Sequence, residues 1–237
     1  MSDLSAFPIT RRWPARHPDR LQLYSLPTPN GVKVSIMLEE IGLPYEPHLI
    51  DIGANETWIP EYLSLNPNGK IPAIIDPDGP GGQALALFES GAILLYLAEK
   101  TGQLLPADPA LRYQTIQWVF FQVGAVGPMF GQLGFFHKFA GKDYEDKRPR
   151  DRYVAESKRL LGVLEQRLNG RDFMMGADFT IADIALLGMV RNLVGYYDAG
   201  QLVDYVDLKS VPAWLERCLA RPAVQRGLEI PARPQSI

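Results

Sequence analysis

Apolar positions along this chain follow one rhythm up to residue 101 and another beyond it. Residues 21–26, LQLYSL, read as a strand, and from Asn30 to Gly42 the residues Val34, Met37, Leu38 and Ile41 recur at helical spacing before Gly42 stops the run. YEPHLI predicts a second strand, and a polar loop and a short helix around IPEYLSL follow it. KIPAII and ALALFE predict two more strands, joined as a hairpin across DPDGPGG. A strongly apolar helix from Ser90 to Thr101 closes this part. The order βαβαββα predicts a small mixed sheet of four strands with helices packed on it, an α/β domain.

Past GQLLPADP only helical periods remain, over roughly Ala110 to Phe139, Arg150 to Leu168, Ile181 to Tyr196 and Pro212 to Leu228. The expected organisation is therefore an α/β domain over residues 21–101, a Pro-rich linker over 102–109 and an all-helical domain over 110–237. Residues 1–20, which include TRRWPARHP, lack periodicity and predict an extended arm. No internal repeat is visible.

Composition narrows the function classes. With 24 Lys and Arg against 27 Asp and Glu, the net charge of −3 gives no reason to expect nucleic acid as the main partner, though a local basic pocket for a small anion stays open. Cys218 is the only cysteine, so an intrachain disulfide, a CxxC redox pair and a thiolate metal cluster are all excluded. His17, His48 and His137 lack metal-ligand spacing, so no metal is expected. No run approaches ~18 uninterrupted apolar residues, and the expected location is the cytoplasm, away from membranes. Any redox chemistry must therefore borrow its thiol from a ligand.

Residues 26–33, LPTPNGVK, stand where the first strand gives way to the first helix, and hold neither cysteine, histidine nor carboxylate. Together with NPNGKIPAI, FESGAILLYLAEKTG, WVFFQVGAVGPMFGQ and FTIADIA, this turn gives an arrangement that resembles the cytosolic glutathione transferases. The TPNG turn looks most like the bacterial nu-class members that act as glutathione-dependent disulfide reductases. The resemblance spans about residues 21 to 228. It implies a thioredoxin-like first domain with its mixed four-stranded sheet, an all-α second domain, and a homodimer. Glutathione is then the co-substrate, one or two molecules or glutathione disulfide per site, and a small disulfide or electrophile is the other reactant.

The resemblance also implies roles for residues. Thr28 and Asn30 are the expected catalytic pair, donating O–H and N–H to the glutathione sulfur at the positive start of the first helix and lowering the thiol pKa from ~8.5 without a general base. Tyr24 and Ser25 compete for that task, because other classes use Tyr or Ser near the end of the first strand. Ile71, held extended by the following Pro72, presents its backbone to the peptide, and Pro72 is expected cis. Glu89 meets the γ-glutamyl ammonium, while Ser90 caps a helix whose N–H groups face the carboxylate. Lys70 matches a ligand-binding position, and Arg152 in PRDRYVAESKRLL is expected to reach the ligand carboxylates from the helical domain. Lys33, a cation in the first turn of a helix, marks either a nearby anion or a solvated side chain. Thr57 departs from the longer amide-bearing side chain of relatives.

Other motifs divide differently. Gly124, Gly127, Gly131 and Gly134 would line one face of a continuous helix kinked at Pro128, either for close approach at a dimer interface or to leave room for a second ligand. FTIADIA predicts a capping box from Thr180 to Asp183, a folding device. Phe130, Phe135, Phe136 and Phe139 suit an acceptor pocket or ordinary core. Three activities remain: disulfide reduction with two glutathiones, conjugation or elimination on aromatic electrophiles, and partner binding without turnover.

Overall fold

The computed structural model describes residues 4–233, which form two compact units: one from residues up to Thr101 together with those from Pro222 on, the other from Gly102 to Arg221. In the first, β1 (Leu21–Ser25), β2 (Tyr45–Leu49), β3 (Ala73–Asp76) and β4 (Leu85–Phe88) make a mixed sheet of order β2-β1-β3-β4. β1 runs parallel to β2, with Leu23 opposite Pro47, and antiparallel to β3, with Leu23 opposite Ile74. β4 completes the hairpin with Ile74 opposite Leu87. The sheet register of β3 starts at Ala73, later than KIPAII suggests, since Pro72 has no N–H to give the ladder.

Short helix α1 (Ile9–Arg12), α2 (Gly31–Ile41), α3 (Pro60–Leu63) and α4 (Ser90–Thr101) accompany the sheet. α2 ends at Gly42, whose φ of 66° is the left-handed stop that glycine adopts without a Cβ penalty. The amino-terminal segment does not run as an extended arm. Leu4 and Ile9 are buried with Tyr24, Ile50, Tyr62 and Ile75, Trp13 packs edge-on to Tyr24 and Tyr62, and Glu46 accepts from the N–H groups of Arg16 and His17. Leu4, Phe7, Ile9 and Trp13, four apolar side chains over ten residues, pack it onto this cluster, too few to show a period.

The second unit contains α5 (Pro109–Phe121), α6 (Gly127–His137), α7 (Arg148–Leu168), α8 (Ile181–Val194) and α9 (Ser210–Leu219). Pro128 is accommodated by a π turn over Gln122–Val126, in which the Gly127 N–H donates to the Gln122 carbonyl. The glycines there do not share one purpose: a Cβ on Gly134 would lie 2.3 Å from the Tyr197 ring, whereas nothing stands within 4 Å of one on Gly124 or Gly131. The expected capping box is present, and Asp183, fully buried, also accepts from Met174 N–H (2.8 Å) and Trp214 Nε1–H (2.9 Å).

The last helix, α10 (Pro222–Gly227), belongs with the first unit and not with the helical one. Gly227 lies against Ile36 on α2, and the Ser35 hydroxyl donates to the Gly227 carbonyl at 2.6 Å. α2 thus has a helix on it as well as the sheet.

Candidate active site

The turn from β1 into α2 is built around Thr28. Thr28 N–H donates to the Leu26 carbonyl (2.7 Å), its own carbonyl accepts from Val32 N–H (3.0 Å), and its Oγ1 accepts from Gly31 N–H (3.2 Å). Two of the helix's first N–H groups are therefore already engaged by Thr28 itself. Gly31 is required by close approach: a Cβ there would stand 1.9 Å from the Leu26 carbonyl oxygen.

Lys33 lies in the first turn of α2 with only 1% of its surface exposed. Its Nζ donates to Asn30 Oδ1 at 2.9 Å and to Ser90 Oγ at 3.2 Å. Burial pushes the amine down to about 7, with the Glu89 carboxylate opposing the fall. Of the two readings open for this cation, the solvated one is excluded.

These bonds share a sense. The oxygen of Thr28 accepts from Gly31, and the oxygens of Asn30 and Ser90 accept from Lys33, so the remaining polar hydrogens of the three side chains are donors. Such a set suits an anion, whether thiolate or carboxylate.

Ser90 opens α4 as a helical residue and does not stand at its cap. Glu89 precedes it with φ 72°, a left-handed conformation that costs a non-glycine residue of order ~1–3 kcal/mol, at the junction of β4 and α4. Glu89 is exposed, and its carbonyl accepts from Ile93 N–H (2.9 Å). Across the same unit the Ile71–Pro72 peptide is cis, and Ile71 lies just outside the register of β3. The carbonyl before it, on Lys70, accepts from Tyr62 Oη–H (2.8 Å) and Asn66 Nδ2–H (2.6 Å). The exposed Lys70 amine stands 6.0 Å above the Trp58 ring.

The competitors of Thr28 sit elsewhere. Tyr24 is fully buried, its ring stacked on His48 at 4.7 Å, and its hydroxyl has no hydrogen-bond partner among the described residues. Burial, and then Glu46, raise its pKa beyond the usual tyrosine range. Ser25 is buried too, its hydroxyl directed to the Leu26 carbonyl at 3.4 Å. Thr57 is buried, and Arg152 is an exposed residue of α7 in the second unit. Tyr62, Asn66 and Trp58 were not singled out from sequence; the NPN run before Lys70 was their one visible trace. Among the described residues no group of three or more His, Cys, Asp or Glu could hold a metal ion.

The glutathione S-transferase N-terminal domain matches residues 19–99, and the C-terminal domain of the same family matches residues 126–222. The chain belongs to the glutathione S-transferase family. Disulfide-bond oxidoreductase YghU of Escherichia coli is 42% identical over 220 residues, which cover 90% of this chain and 74% of that protein. Disulfide-bond oxidoreductase YfcG of the same organism is 42% identical over 88% of this chain and 94% of its own. A glutathione transferase of Burkholderia graminis, crystallised with two glutathione molecules per subunit, is 70% identical with a TM-score of 0.97, over 99% of this chain and 98% of that one. One from Pseudomonas putida, with a glutathione disulfide per subunit, is 66% identical with a TM-score of 0.95, over 97% and 100%. The family explains the thioredoxin-like first unit and the helical second one.

Proposed function

We propose that this transferase is a glutathione-dependent disulfide-bond oxidoreductase. The observation that carries the reading is the donor set of Thr28, Asn30 and Ser90, with no protein thiol among them, since the only cysteine, Cys218, is buried in α9. Relatives that bind two glutathiones or glutathione disulfide, and others named disulfide-bond oxidoreductases, point the same way. Ile71 next to Pro72 pairs with the peptide backbone of glutathione. Ser90 donates to the γ-glutamyl carboxylate, and Glu89 receives its ammonium. Lys70 and Arg152 add positive charge for carboxylates.

Thr28 and Asn30 donate to the glutathione sulfur, and the positive end of α2 lowers the thiol pKa further. The thiolate attacks one sulfur of the substrate disulfide, forming a mixed disulfide and expelling the other sulfur as a thiolate that takes a proton from water. A second glutathione thiolate attacks the glutathione sulfur of that mixed disulfide and releases the remaining substrate thiolate. Two glutathiones and a disulfide become glutathione disulfide and a dithiol, with electrons balanced and no protein residue modified.

A second copy of the chain would cover an apolar face of the second unit on which Tyr113 is 72% and Phe120 68% exposed, which supports a homodimer. α5, the π turn and α6 form a continuous helical stretch over residues 109–137 that is long and apolar enough to cross a membrane by length and composition, and a third of its most apolar window is buried within the protein. A cytoplasmic, reducing location fits a chain with a single, buried cysteine and a glutathione consumer. The exposed aromatics Phe139, Tyr144 and Tyr196 favour one alternative, conjugation on aromatic electrophiles. A glutathione-reductase-coupled assay separates the two: turnover with hydroxyethyl disulfide and little with chlorodinitrobenzene is expected, and the reverse would sink the proposal.

A further inference from the structure

We infer that Lys33 is a positioning residue of this site, its buried amine bracing the Asn30 amide and the Ser90 hydroxyl together so that the sulfur end and the γ-glutamyl end keep one geometry. The inference rests on the reading of Asn30 and Ser90 given above. A lysine is almost never buried whole without a polar partner, and a cation in the first turn of a helix opposes the macrodipole, so neither burial nor helix energetics accounts for Lys33. Its bonds do. It reaches Asn30 three residues back on its own segment and Ser90 at the β4–α4 junction, 57 residues on.

The bond to Asn30 has a directional consequence. The terminal torsion of an asparagine is broad and roughly two-fold, and an exposed Asn30 would present oxygen or nitrogen outward almost equally. A donor held on Oδ1 removes that ambiguity and turns the NH₂ group toward the ligand. A flipped amide would set an oxygen against a thiolate, repelling the charge it is meant to hold. Ser90 is treated alike: with Lys33 donating to Oγ, its own hydrogen is directed elsewhere, to a carboxylate.

The experiment is a pH titration of the ultraviolet thiolate absorbance of bound glutathione in wild type, Asn30→Ala, Lys33→Met and the double variant, with disulfide turnover measured alongside. Methionine keeps most of the apolar stem of the lysine and removes both the donor and the charge, which the double variant then tells apart. Lys33→Met is expected to raise the bound thiol's pKa nearly as far as Asn30→Ala does and to lower kcat more than tenfold, and the double variant is expected to match Asn30→Ala. If Asn30→Ala raises the pKa while Lys33→Met leaves it at the wild-type value, Lys33 is not a positioning residue, yet the site reading stands. Additive shifts in the double variant overturn the inference as well, because they show Lys33 acting by its own charge. If Asn30→Ala changes nothing, the site reading fails and the inference with it. Should Lys33→Met not fold, Lys33→Leu, which likewise carries no donor, makes the same comparison.

Discussion

Removing the Lys33 amine separates stability from activity in a way that pH makes visible. In the folded chain the amine falls from the ordinary 10.5 to about 7, chiefly because burial strips it of water. The unfolded chain therefore binds more protons between those values, and wild-type stability rises with pH across that window. At ~1.4 kcal/mol per pH unit, the penalty for the buried charge is roughly 5 kcal/mol below pH 7 and is gone above pH 10.5. Against it stand the bonds to Asn30 and Ser90, worth about 1 kcal/mol each at either extreme. Lys33→Met should thus be more stable than wild type at pH 6 by about 2–3 kcal/mol, and the advantage should shrink and reverse toward pH 10. Urea unfolding of both proteins from pH 6 to 10, at one protomer concentration, measures this. A stability difference that stays constant over the range would refute the linkage.

Three further outcomes follow from the same contacts. Gly31→Ala drives a methyl into the Leu26 carbonyl, where the backbone must give; a loss of about 2–4 kcal/mol in urea unfolding and a collapse of disulfide turnover are expected, and near-wild-type values of both would show that the turn is soft. Asp183→Ala leaves the Met174 and Thr180 N–H groups and Trp214 Nε1–H without their acceptor, a cost of about 3–5 kcal/mol read as a lowered Tm. Cys218→Ser should keep full turnover once folded, and an inactive folded variant would end the mechanism with a borrowed sulfur.

Local signals were legible wherever neighbours in sequence settle the structure. The period of Val34, Met37, Leu38 and Ile41, the stop at Gly42 and the box from Thr180 to Asp183 all depend on contacts within a few residues. Thr28 and Asn30 were reached through the resemblance that the TPNG turn carries, and the cis Ile71–Pro72 peptide was expected on the same ground. What escaped depends on distant partners. Nothing near Lys33 in sequence says that Ser90 will reach it, and a lone lysine reads as solvated charge until the β4–α4 junction is in place. Likewise α10 joins the first unit through Ser35 and Gly227, 192 residues apart, so composition alone left it with the helices before it. Ser90 looked like a cap because serine favours caps; the left-handed Glu89 before it put the helix start one residue earlier.

The central claim is that a thiol brought by glutathione is held as a thiolate at the start of α2. Titrating the thiolate absorbance of glutathione bound to the wild-type protein tests it most directly. A midpoint well below the free thiol's ~8.5, moving up toward that value in Asn30→Ala, is the predicted result. A bound thiol that titrates near ~8.5 in the wild-type protein would contradict the account.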